Sequence, residues 1–137
     1  MRSSKPILLV EDDQVDAMTV KRALKEIKIT NRLNIVNDGE AALKFLKNSE
    51  NEKPGIILLD LNMPKMNGIE FLKIAKKDDS IKKIPVVVLT TSQEDQDKVD
   101  SFNLGVTGYM IKPVGYLKFV EVVKTIDLYW TLSELPD

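Results

Sequence analysis

The chain has 137 residues, with 20 basic and 21 acidic side chains, a net charge of −1 and 43% hydrophobic content. That is one domain's length, and the near balance of charge gives no electrostatic case for binding nucleic acid or an anionic membrane. No apolar run approaches the roughly 18 residues of a membrane span, and the N-terminal "MRSSKPILLVEDD" is no signal peptide, which together read as a cytoplasmic protein. Cys and His are both absent. Their absence removes disulfides, thiolate nucleophiles, imidazole bases and the usual zinc sites. What remains is carboxylates, hydroxyls, lysines and backbone, and hard oxygen ligands favour Mg²⁺, Ca²⁺ or Mn²⁺.

In chain order, the apolar run Ile7–Val10 reads as a buried strand, and the acidic Glu11-Asp12-Asp13 follows it. Ala17, Val20, Leu24 and Ile27 then share one helical face. A weaker strand at Leu33–Val36 precedes a second helix with its face on Ala42, Leu43 and Leu46. Residues 48–55 read as a surface loop. The run Ile56–Leu59 ends on Asp60 and enters the Pro- and Gly-rich turn "LNMPKMNG", after which Phe71, Leu72 and Ala75 mark a third helix. A strand over 86–89 leads to Thr90-Thr91, and "SQED" from Ser92 has the pattern of a capping box. The helix it opens, roughly 93–103, has only Val99 and Phe102 as large apolar residues, and such thin burial suits an element that moves. A short strand at 109–111 runs into Lys112-Pro113. The final helix, about 115–130, gathers Tyr116, Phe119, Val120, Val123, Ile126 and Trp130 on one arc. It carries further apolar surface at Leu117, Val122, Leu128 and Tyr129, more than one face buries, which points to an interface.

Five strand–helix units in strict alternation predict a parallel sheet with helices on both faces. The expected fold is a flavodoxin-like (βα)5 doubly wound sheet of strand order 2-1-3-4-5, a single domain over 1–137 with no output domain. In such sheets, sites lie beyond the carboxyl ends of the strands. Glu11, Asp12 and Asp13 stand at the end of the first strand, Asp60 at the third, Thr90 at the fourth and Lys112 at the fifth. Alone, each has a structural explanation: acids stabilise helix N-termini and an Asp often begins a turn. Asp13 is read that way, as the residue that starts the first helix. Together the rest form a cleft of carboxylates, one hydroxyl and one ammonium. Clustered carboxylates call for a cation such as Mg²⁺, and a carboxylate can itself accept a phosphoryl group. A hydroxyl and a lysine then hold the remaining oxygens.

The motifs "ILLVEDD", "DGEAAL", "IILLDLNMPKMNG", "PVVVLTTS" and "GYMIKP", in this order and spacing, resemble the receiver domains of two-component response regulators over essentially the whole chain. The resemblance implies Asp60 as phosphoacceptor, and Asp12 and Glu11 as Mg²⁺ ligands, the first direct and the second through water. It adds the backbone carbonyl of Asn62 to the metal set. Thr90 and Lys112 would hold the phosphoryl group, Tyr109 would be the aromatic switch, and Lys112-Pro113 would carry a cis peptide. Val114-Gly115 departs from the family's usual Phe, and Thr91 is bulkier than the common residue there. Asn62 and Ser92 occupy positions that tune phosphoryl lifetime.

A chain without histidine needs a phosphohistidine on another protein, a histidine kinase, or a small acyl phosphate as donor. It is not expected to act as an enzyme beyond its own phosphorylation and dephosphorylation, and its output must be a protein contact. The tail "LYWTLSELPD" resembles the small regulators that accompany bacterial phytochromes, implying a light-sensing kinase and a homodimer through the last helix. Competing readings are a relay intermediate that passes phosphate to a histidine phosphotransfer protein, and a phosphate-independent binding module. A Mg²⁺-dependent phosphohydrolase would typically have a second Asp where this chain has Asn62.

Overall fold

The computed structural model describes residues 4–61, 63, 65–90, 104–113 and 115–133, the side chains of 129 and 131–133 excepted. The strands are β1 (Ile7–Val10), β2 (Leu33–Val36), β3 (Ile56–Leu59), β4 (Val86–Thr90) and β5 (Gly108–Ile111). The described helices are α1 (Gln14–Glu26), α2 (Gly39–Lys47), α3 (Gly68–Ala75) and α4 (Tyr116–Ser133). All strand pairs are parallel, in the order β2-β1-β3-β4-β5, as the alternation predicts.

Side chains in a strand alternate between faces, and β1, β3 and β4 are apolar at nearly every position because both faces are covered. Leu8, Val10, Ile57, Leu59, Val86 and Val88 pack toward α2 and α3 with Leu43, Leu46, Phe71 and Leu72. Ile7, Leu9, Ile56, Leu58, Val87 and Leu89 pack toward α1 and α4 with Val20, Leu24, Phe119, Val123 and Trp130. The helix faces read from spacing are the buried ones: Ala17, Val20 and Leu24 in α1, and Ala42, Leu43 and Leu46 in α2. Ile27 sits at the C-cap of α1 and is only partly buried, because the helix ends there.

Several boundaries differ from expectation. Thr90 belongs to β4 and Gly108 to β5, because Thr90 pairs with Ile111 and Val87 with Gly108. Residues 48–53 lie at the surface, but Pro54 and Gly55 are buried at the entry to β3. A Cβ on Gly55 would stand 2.4 Å from the Trp130 ring, so the indole seats directly on this backbone. The cis peptide expected at Lys112-Pro113 is absent: no cis bond occurs among the described residues. Trans is the lower-energy form of an X–Pro bond by about 0.5–1 kcal/mol unless local contacts select cis. The helix expected at 93–103 lies outside the described residues, as do Asn62, Thr91, Ser92 and Val114.

Candidate phosphoacceptor cleft

The functional residues are placed by the sheet ladder running one bond past its last pairs. Glu11 donates its N–H to the Val36 carbonyl at 2.9 Å, and Asp60 donates to Val10 at 3.0 Å. Lys112 donates to the Thr90 carbonyl at 2.7 Å. Val10 and Leu59 are partners in the register, so Glu11 and Asp60 emerge level on neighbouring strands. Carboxylate oxygens of Glu11, Asp12 and Asp60 all lie within 4.8 Å of one another. Glu11 and Asp60 are buried and Asp12 is exposed.

The turn after Asp60 is folded back tightly. Gly68 N–H donates to the Leu61 carbonyl at 3.0 Å, and a Cβ at Gly68 would come within 2.8 Å of the Asp60 carbonyl oxygen. Only glycine permits α3 to begin this close to the acceptor strand. Asn67 and Glu70 then close a capping box on α3.

Lys112 reaches across the cleft from β5. Its Nζ donates to Glu11 Oε1 at 2.5 Å and to Asp16 Oδ2 at 3.1 Å. Burial pulls its pKa down, but the hydrogen bond to Glu11, the charges of Asp60 and Glu11 and the bond to Asp16 outweigh it, so the ammonium is held above its ordinary value. Glu11 is pushed up to about 7, first by burial and then by its contact with Asp60, with Lys112 opposing only in part. Among the described residues one ammonium is thus shared by Glu11 and Asp16 beside Asp60, so the carboxylates outnumber the positive charge there. The cleft's donors are hard oxygens. A small divalent cation fits both facts.

Thr90 is fully buried at the end of β4. Tyr109, opposite Val88, is half-buried against the α2/α3 side of the core. Asp13 is the N-cap of α1, its Oδ1 accepting from the N–H groups of Val15 and Asp16, in agreement with its reading as a helix-starting residue. Asp16 was not singled out by the motifs, yet it joins the cleft through Lys112. Its signal was positional: three residues past an N-cap that follows β1, it stands on the first turn above the strand ends.

The chain matches the response regulator receiver domain over residues 7–124. It belongs to that family. Receiver domains are signalling modules of two-component systems, and they bind a divalent metal ion. Response regulator Rcp1 of Synechocystis sp. is 42% identical over 130 residues, covering 92% of this chain and 88% of Rcp1. The probable methanogenesis regulatory protein FilR2 of Methanothrix harundinacea is 39% identical over 127 residues, covering 90% of this chain and 82% of that protein. Among solved structures, the phosphorylated cyanobacterial phytochrome response regulator RcpA superposes with a TM-score of 0.86 at 34% identity, over 97% of this chain and 98% of RcpA. The Mn²⁺-bound form of Rcp1 gives 0.82 at 39% identity, over 96% and 97%. The described residues of this receiver domain include no helix long and apolar enough to cross a membrane.

Proposed function

We propose that this chain is a single-domain response regulator that accepts a phosphoryl group on Asp60 and signals by protein contact. The observation that carries the reading is the meeting of Glu11, Asp12 and Asp60 at one sheet edge with Lys112 reaching in from β5.

In the proposed reaction an Asp60 carboxylate oxygen attacks the phosphorus of a phosphohistidine. The P–N bond breaks, the imidazole leaves with its electron pair and takes up a proton, and Asp60 becomes an acyl phosphate. Glu11, Asp12, Asp60 and the Asn62 carbonyl would hold Mg²⁺. When bound, it offsets the charge of carboxylates and phosphoryl oxygens. Lys112 exchanges a carboxylate partner for a phosphoryl oxygen, the Thr90 hydroxyl takes another, and Tyr109 follows Thr90 inward as the switch. Transfer onward to a histidine phosphotransfer protein would use the same Asp60.

The similarity to Rcp1 and to the phytochrome response regulator RcpA supports a light-sensing histidine kinase as donor. Leu117 and Leu128, 78% and 59% exposed, stand about three turns apart on one stripe of α4 and support a homodimer through that helix. Incubation with acetyl phosphate and Mg²⁺, followed by intact mass and size, tests both parts. Wild type should gain one phosphoryl group and Asp60→Asn none, with a loss of transfer below detection. A phosphorylated Asp60→Asn variant would move the acceptor elsewhere, and a monomer at every concentration would remove the dimer.

A further inference from the structure

We propose that Asp16 is a positioning residue for Lys112: it anchors the ammonium in the resting state and so sets how readily Lys112 reaches a phosphoryl group on Asp60. The inference rests on the role proposed for Lys112 above.

The geometry is a relay of fixed parts. Asp13 caps α1 and accepts the Asp16 N–H at 3.1 Å, which fixes the Asp16 backbone at the helix's first turn. The Asp16 carboxylate accepts from the Lys112 ammonium at 3.1 Å, beside the bond that the same ammonium makes to Glu11. The Lys112 side chain is only 8% exposed, whereas Asp16 is 44% exposed. The lysine is therefore bridged between an inner carboxylate, which also faces Asp60, and an outer one on α1. Asp16 is not part of the Glu11, Asp12 and Asp60 cluster. Its bond to Lys112 competes with any phosphoryl oxygen that Lys112 must take. A contact made only in the resting state lowers the population of the active one.

The test compares wild type, Asp16→Asn, Asp16→Glu and Asp13→Asn in the full chain. Asp13→Asn removes a charge at the same helix start while keeping a cap, so it controls for simple attraction of an anionic donor. With acetyl phosphate and Mg²⁺, Asp16→Asn should be phosphorylated about two- to five-fold faster, the range an ion pair with one exposed partner is worth. Asp16→Glu should return to the wild-type rate, and Asp13→Asn should show no rise. A residue needed only for packing would slow the reaction when replaced. Independently of phosphate, ¹³C relaxation at the Lys112 Cε in metal-free protein should show a more mobile side chain in Asp16→Asn. An equally ordered Lys112 overturns the proposal, as does an equal or slower rate in a folded Asp16→Asn that is phosphorylated on Asp60. If wild type takes up no phosphate, the reading of Asp60 fails, and the Lys112 relaxation alone decides whether Asp16 is its anchor.

Discussion

The two edges of the sheet are built from the same strands and end in opposite ways. At the carboxyl edge, β1, β3 and β5 run out into Glu11, Asp60 and Lys112, buried or partly buried charges held by one another. At the amino edge, the Gly55 N–H donates to the Pro6 carbonyl at 2.9 Å, and Trp130, 1% exposed, closes over Gly55. The first edge accumulates electrostatic cost where chemistry needs it, and the second accumulates packing. Stability and reactivity should therefore separate by edge.

The largest effect on stability is expected at the amino edge. Trp130→Ala removes the indole from its seat on Gly55 and should cost about 3–5 kcal/mol, read as a lower denaturation midpoint. Gly55→Ala attacks the same contact from the other side, because its Cβ has no room beside the ring. Both variants, studied where they remain folded, should take up phosphate from acetyl phosphate at the wild-type rate. A slower reaction at equal folded fraction would show that the edges are coupled and break the comparison.

The carboxyl edge should instead govern how stability depends on pH. Glu11 has a folded pKa of about 7 against an ordinary 4.5. The folded protein therefore holds this proton more tightly than the unfolded chain does. The contribution is fully present below pH 4.5 and is lost as pH rises through 7. Without metal, on the order of 3 kcal/mol should disappear between about pH 4.5 and pH 8, and Glu11→Gln should flatten that slope. Saturating Mg²⁺ should restore stability at the alkaline end, because a ligand that binds only the folded state stabilises it. A metal-free midpoint that rises from pH 5 to pH 8 would contradict the burial of a protonated Glu11. Trp130→Ala should shift the whole curve without changing its slope, which sharpens the division between the edges.

Much of this was legible in the sequence because strands covered on both faces leave unbroken apolar runs. Ile7–Val10 and Ile56–Leu59 are bounded in the structure where the residues placed them. The residues that break such a run at its carboxyl end, Glu11 and Asp60, come together because their strands are neighbours in register. Three things were not legible. The Gly55–Trp130 contact joins a loop to a distant helix, and no local pattern records it. The bridge from Lys112 to Asp16 depends on where the first turn of α1 stands above the sheet, a tertiary fact that reads in sequence as one more acid near a helix start. The trans peptide before Pro113 was missed because the resemblance implied cis, although trans is the intrinsically favoured form of an X–Pro bond.

The smallest expected effect concerns Asp13, which stands between the two kinds of region: it lies beside the metal-binding acids yet caps a helix. As a cap, its Oδ1 satisfies the N–H groups of Val15 and Asp16, so Asp13→Ala should cost about 1 kcal/mol and Asp13→Asn only a few tenths. Neither change should alter Mg²⁺ affinity by more than the small long-range effect of one exposed charge, which added salt would screen. Binding can be followed by calorimetry. A large loss of affinity in Asp13→Asn, with stability kept, would place Asp13 among the metal's ligands. The acidic run after β1 would then be a site of three carboxylates instead of two and a cap.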